Sequence, residues 1–538
     1  MPASCSPSSI TVQALHALLL GDQELALLDV REARAFVDGH LNLARLAPLS
    51  SLGLEVQALV PRQGTPVVLV DAGDPKGPAP RAAKLLARLG YTDVRVLAGG
   101  TVGWQAAGLP LIDGYATLVK AFGGQVLARH ATPTLPGAAL RALREAGRSA
   151  TLIDARPADE YAFLSLPGAH NHAGTELALR QWPSEGQPGP WLVHCFSRTR
   201  GIIGSTTLRL LGHSDAHFLE DGVMQWALDG APVRSDARPA ADLPVAPDAE
   251  LRRRADALIG RHRLPLLRPD TLSRWRAESD RTLYLFDLRP GAEAAPDIRS
   301  VAGGQLLMHF ENLVGTRGAR IVLLDDPHHL RAAITAFWLR QLNQSEVWIL
   351  DGEPPASWAA NAASTAMADA FEAIAAAAGA GLAADEVAAL LDSEPTRVRV
   401  VDVGPSADFE GRHLPAADFL LPSTLTPLAA LLEAGLRIVF ASPDGHAARW
   451  VAAQARERWP ERRFDWLRGG TAAWQAAGRP TAQSWEPAQL LTSFEDDWGS
   501  VMRVSALHRD RAWADYLAWE RGLGARVAQD PTVRFRLF

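Results

Sequence analysis

Cysteine and lysine are scarce in this 538-residue chain, and each shortage narrows the reading. Cysteine occurs only at Cys5 and Cys195. Two thiols in so long a chain exclude a disulfide framework and fit a reducing compartment. Cys5 sits in a Ser-rich, polar N-terminus, so we expect both thiols to be free. Lysine occurs only at Lys76, Lys84 and Lys120, so arginine carries nearly all the positive charge. Neither sign of charge is in large excess: the formal net charge is −6, which gives no general attraction to nucleic acid or to an acidic membrane. Long apolar runs are also missing, and nothing approaches the ~20 residues of a membrane span. The stretch Met1 to Gln13 has no basic region, and Ala14 to Leu20 reads as a first helix rather than a signal segment. These absences together suggest a cytoplasmic protein.

What is present is repetition. A short apolar strand ending in Asp occurs at Asp29, Asp154, Asp287 and Asp402. A second apolar strand follows and ends at Asp71, Cys195, Asp325 and Ser442. A helical pattern comes next in each copy, over 81–89, 201–211, 330–342 and 447–459. A third strand then closes on a glycine turn and a tryptophan, at Trp104, Trp226, Trp358 and Trp474. From first Asp to closing Trp the spacing is 75, 72, 71 and 72 residues. Strands alternating with helices predict parallel sheets covered by helices on both faces.

This order of marks resembles the rhodanese superfamily. Asp-x-Arg is carried by Asp29 and Arg31 and by Asp154 and Arg156. The Glu-Phe-x-x-Gly-His segment appears as Glu32, Phe36, Gly39 and His40, and as Asp408, Phe409, Gly411 and His413. The second copy keeps Glu160, Tyr161 and Pro167 but has Leu164 and Ser165 where Gly-His is expected. The third copy has lost most of the segment. The resemblance spans about residues 11 to 480 and implies an α/β protein of four tandem rhodanese-like domains with a helical C-terminal tail. The boundaries we expect are 1–118, 119–236, 237–362 with a linker helix near 251–263, 363–482 with a helical linker over 359–381, and 483–538. In the tail, helical stretches are expected over 487–494 and 511–521. The second has an aromatic stripe of Trp513, Tyr516 and Trp519, which we expect to pack against a repeat.

Only the second repeat has cysteine at the end of its second strand. Its loop reads Cys195-Phe196-Ser197-Arg198-Thr199-Arg200-Gly201 and opens a helix. Loop amides and a helix N-terminus favour an anion there, and nearby arginines lower a thiol's pKa from about 8.5. Arg198 and Arg200 would add charge-assisted donors for an anionic substrate. The resemblance implies a catalytic Cys195 that takes sulfur from thiosulfate or a similar donor as a persulfide cradled by Phe196 to Gly201. A thiol, cyanide or protein acceptor would then remove it. Four residues separate Cys195 from Arg200, whereas related phosphatases and arsenate reductases use five. The shorter loop suits sulfur over a tetrahedral oxyanion.

Strand alternation turns His194 away from Cys195, which assigns it a structural role. Asp71, Asp325 and Ser442 cannot form a persulfide, so repeats one, three and four should be scaffolds or docking surfaces. Neighbouring residues on an irregular loop do not converge on an ion, so Asp325, Asp326, His328 and His329 are not read as a metal site. No cofactor, nucleic acid or membrane partner is expected. The rival readings are a persulfide relay that serves a partner enzyme, a mercaptopyruvate sulfurtransferase, and a redox sensor.

Overall fold

The computed structural model describes residues 8–181, 189–236, 238–278, 280–292, 297–342, 345–354 and 362–538, so Cys5 and Trp358 lie outside the described residues. Each repeat forms its own sheet, with the Asp-ending strand beside the strand that leads to the cysteine position. In the second repeat the order is Thr134–Leu135, Ala216–Leu219, Trp191–His194, Thr151–Asp154 and His170–Asn171. All four pairings there are parallel, and Asp154 lies beside His194. The strands are buried on both faces, which is why they read as continuous Val, Leu and Ile runs. The sequence pattern expected these sheets, and the α/β class with tandem sheets holds.

The first sheet departs from an all-parallel arrangement. Thr316–Arg317, from the third repeat, pairs antiparallel with Leu25–Asp29 of the first. The reason lies at the sheet edge. Arg45–Leu46 covers only Leu28 and Asp29, leaving the start of that strand with unpaired backbone groups. The borrowed strand covers Leu25 and Ala26. Alongside it, Tyr284 donates its hydroxyl to the Leu59 carbonyl at 2.6 Å, and Glu24 accepts from Arg62, Arg281 and Thr282.

The second and third repeats share a hydrophobic core. Ile153, Val193, Ile202 and Phe218 pack in one cluster with Phe286, Ile321, Leu323 and Trp338. Helices Thr199–Leu210 and Leu330–Gln341 are buried along nearly their whole length. Trp338 Nε1 donates to Thr207 Oγ1 at 2.9 Å, which locks one helix to the other. The helix that follows Cys195 is therefore held from both sides. The fourth repeat abuts the first, where Trp450 lies over Gly53 so closely that an added Cβ would sit 2.3 Å from the indole.

The tail corrects one expectation. Only Pro487–Gln489 forms a 3-10 turn where a helical stretch over 487–494 was expected. Beyond it Leu490 pairs with Phe419, and Phe494 packs on Phe419 and Phe409, so this apolar spacing anchors extended chain to the fourth repeat. The longer tail helix, Arg509–Val527, crosses the Thr117–His130 helix and approaches Gly222–Leu228. Trp513, Leu517, Glu520, Leu523 and Val527 are its buried face.

Candidate active site

Cys195 follows directly on the strand Trp191–His194, and the loop enters helix Thr199–Leu210. The third-strand turn fixes the loop from below. Val223 N–H donates to the Cys195 carbonyl at 3.0 Å, and Met224 N–H to the Phe196 carbonyl at 2.9 Å. Gly222 makes this approach possible. Its φ is 56°, and a Cβ there would lie 2.2 Å from the Cys195 carbonyl oxygen. The first turn of an α-helix leaves N–H groups without partners inside the helix, and one of these, the Gly201 N–H, bonds to Cys195.

Each predicted loop residue has a distinct place. Arg200 forms a two-pronged pair with Glu160, both bonds at 2.6 Å, which sets its guanidinium beside the thiol. Its buried Nε has no partner among the described residues. Arg198 turns aside instead. It donates to Asp221 at 2.5 Å and lies over the Phe218 ring, and Arg521 of the tail binds the same carboxylate. The two arginines, read as equivalent donors for an anionic substrate, are thus placed differently: Arg198 braces the loop against Asp221, and Arg200 acts on the Cys195 thiol. Phe196 packs edge-on against Trp513 of the tail, with ring centroids 5.3 Å apart. Thr199 Oγ1 donates to Glu520 at 2.9 Å. Ser197 is buried and bonds the Tyr516 hydroxyl.

The electrostatics differ from the sequence expectation. Cys195 is only 2% exposed, and burial pushes its thiol above the ordinary value. Glu520 pushes it the same way, while Arg200, the Gly201 N–H and Arg156 pull it down. A helix N-terminus and arginines were expected to lower the value, but they are outweighed by loss of water that the sequence does not display. His194 is fully buried, and burial holds its imidazole below the ordinary value. It sits 3.8 Å from Asp154, in keeping with a structural role. Among the described residues no group of side chains could hold a metal ion, and no helix is long and apolar enough to cross a membrane.

The comparisons agree with this geometry. A Rhodanese-like domain family model matches residues 11–107 and 137–229. The chain is similar to a crystal structure of a thiosulfate sulfurtransferase from Pseudomonas aeruginosa, at 33% identity and a TM-score of 0.87. That match covers 99% of this chain and 100% of the other. The chain belongs to the rhodanese family. A solution structure of a rhodanese-like domain from Anabaena sp. also matches, at 26% identity, covering 20% of this chain and 79% of that one with a TM-score of 0.19. No curated protein matches the chain.

Within this rhodanese framework, the other three cysteine positions carry groups that satisfy the same helix N-terminus. Asp71 accepts from Gly73 N–H at 2.7 Å and Ala79 N–H at 3.0 Å. Asp325 accepts from Asp326 N–H at 2.8 Å and Ala332 N–H at 3.0 Å. Ser442 Oγ accepts from Gly445 N–H at 3.1 Å and Ala448 N–H at 3.2 Å. A fixed oxygen occupies each cradle in place of sulfur.

Several site residues escaped the sequence reading. Glu160 appeared as part of a structural motif, yet it aims Arg200. Tyr516 belonged to a stripe expected only to pack, and Glu520 was not singled out. The signal was available: Trp513, Tyr516, Glu520, Leu523 and Val527 repeat at helical spacing. A carboxylate in the middle of such a stripe is costly to bury without a purpose.

Proposed function

We propose that this rhodanese moves sulfane sulfur from a small anionic donor, thiosulfate, to a thiophilic acceptor through a persulfide on Cys195. One observation carries the reading. Cys195 alone among the four positions brings sulfur to a helix N-terminus, with Arg200 held beside it by Glu160.

In the first step the Cys195 thiolate attacks the outer sulfur of thiosulfate. The S–S bond of thiosulfate breaks, and its electron pair leaves on sulfite. The persulfide Cys195–S–S⁻ remains, stabilised by the loop amides of Phe196 to Gly201 and by Arg200. The unpartnered Nε of Arg200 is a donor for the anionic donor or the leaving sulfite. In the second step the acceptor attacks the outer sulfur and the Cys195 thiolate leaves. Cyanide as acceptor gives thiocyanate. The resemblance to a thiosulfate sulfurtransferase supports thiosulfate over mercaptopyruvate as donor, and the depth of Cys195 favours small acceptors over a partner protein's surface thiol. The free thiol of Cys195 fits work in a reducing cytoplasm. Thiocyanate production from thiosulfate and cyanide tests the reading. The wild type should turn over by a ping-pong pattern and Cys195→Ser should not; equal rates in both would end it.

A further inference from the structure

The tail helix Arg509–Val527 does more than cover the loop. Glu520 reaches it from more than 300 positions along the chain. Its side chain is buried, with the residue only 5% exposed. One carboxylate oxygen accepts from Thr199 Oγ1 at 2.9 Å, and the other has no partner among the described residues. A buried, unpartnered carboxylate oxygen is costly, and it calls for a donor that the described residues do not supply.

The groups around it narrow that donor. From the loop come Cys195 and Arg200, with Glu160 behind the arginine. From the Thr117–His130 helix comes Lys120, whose ammonium donates to the Tyr115 carbonyl at 2.6 Å and lies over the rings of Tyr516 and Trp519. From its own helix comes Tyr516, whose hydroxyl bonds Ser197. Further out, Glu311 lies near Lys120, and His309 near Lys120 and Arg200. A negative charge in this group works against the first half-reaction. It repels a dianionic donor, and it disfavours the Cys195 thiolate. The step that gains from it is one in which a substrate releases a proton.

We infer that Glu520 is a catalytic general base for a neutral thiol acceptor. This rests on the sulfur-transfer reading above. The free oxygen of Glu520 takes the S–H proton of R–SH, and the thiolate attacks the outer sulfur of Cys195–S–S⁻. The R–S–S bond forms as the persulfide S–S bond breaks, and the electron pair leaves on Cys195 as thiolate. The products are R–S–S⁻, the Cys195 thiolate and protonated Glu520, which passes its proton to water. No oxidant or reductant is consumed. An acceptor that is already an anion needs no such base.

The test separates the two halves. Full-length protein is loaded with thiosulfate, freed of excess donor and then discharged with either 2-mercaptoethanol or sulfite. Failure of the wild type to load would sink the sulfur-transfer reading itself. Loading of Glu520→Gln shows that the variant is folded, because the amide oxygen can still accept from Thr199. At about pH 7.5 the ratio of thiol to sulfite discharge rates should fall at least ~10²-fold in Glu520→Gln, the lower end of the usual range for general-base catalysis. The thiol rate of the variant should also climb with pH in step with ionisation of the thiol, more steeply than in the wild type. A ratio and pH profile matching the wild type would overturn the assignment and leave Glu520 a structural contact of Thr199.

Discussion

The second and fourth repeats place different atoms in the same cradle. In both, the sixth residue beyond the cysteine position, Gly201 or Ala448, donates its N–H to the group there. Both receive a glycine turn against the carbonyl at that position, with a Cβ at Gly222 or Gly470 falling 2.2 Å or 2.1 Å from it. The cradle is thus a property of the fold. The second repeat adds sulfur in place of the Ser442 hydroxyl, and Arg200 where the fourth has Ala447. It also lies under the Arg509–Val527 helix, which puts Tyr516 and Glu520 at the loop. In the proposed reaction, reactivity depends on these additions.

The largest effect should come from the sulfur atom itself. Cys195→Ser should lower thiocyanate production by more than about 10³-fold in steady-state assays, because a hydroxyl cannot carry a sulfane sulfur.

A second contrast lies one strand away. Burial pushes both Asp154 and Asp402 up, but at Asp154 the neighbours His194 and Arg156 more than offset it. Asp402 has Gly404 where the second repeat has Arg156, and burial, with Asp408 nearby, takes its carboxyl to about 7. A raised carboxyl value means that the folded state favours the protonated form. Its stabilising contribution is complete below the ordinary value of 3.8 and is lost as pH rises through about 7. By pH 8 the loss approaches ~4 kcal/mol as an upper bound. Thermal melts should therefore show Asp402→Asn increasingly stabilised relative to wild type as pH rises from 5 to about 7, by no more than ~3 kcal/mol over that interval. A pH-independent difference would break this contrast.

Arg200→Gln should keep the fold but slow sulfur loading about 10²-fold, through loss of one preorganised charge. The pH at which loading becomes fast should also rise, because Arg200 pulls the Cys195 thiol down. A smaller effect belongs to the first repeat. Asp71→Ala leaves two N–H groups at a helix start without their acceptor, at a cost of about 1–3 kcal/mol read by chemical denaturation, with turnover per folded molecule unchanged.

Much of this architecture is written locally. The Asp-ending strands, the cysteine position and the glycine turns recur at even spacing, so four sheets and one reactive loop can be read from the chain. The strand Thr316–Arg317 is too short to show periodicity, so its pairing with Leu25–Asp29 leaves no mark. The burial of Cys195 was not legible either, because its cover comes from a helix far along the chain. Arg198 and Arg200 look equivalent in sequence, and only the positions of Asp221 and Glu160 separate them. The stretch 487–494 was expected to be helical, yet the fourth sheet offers an edge that extended chain can use.

The most direct test is peptide mass spectrometry after treatment with thiosulfate, since Cys5 provides an internal comparison. We predict the mass of one added sulfur on the peptide containing Cys195, none on that containing Cys5, and none on either peptide once Cys195 is changed to Ser. Added sulfur on Cys5, or none on Cys195, would contradict the account.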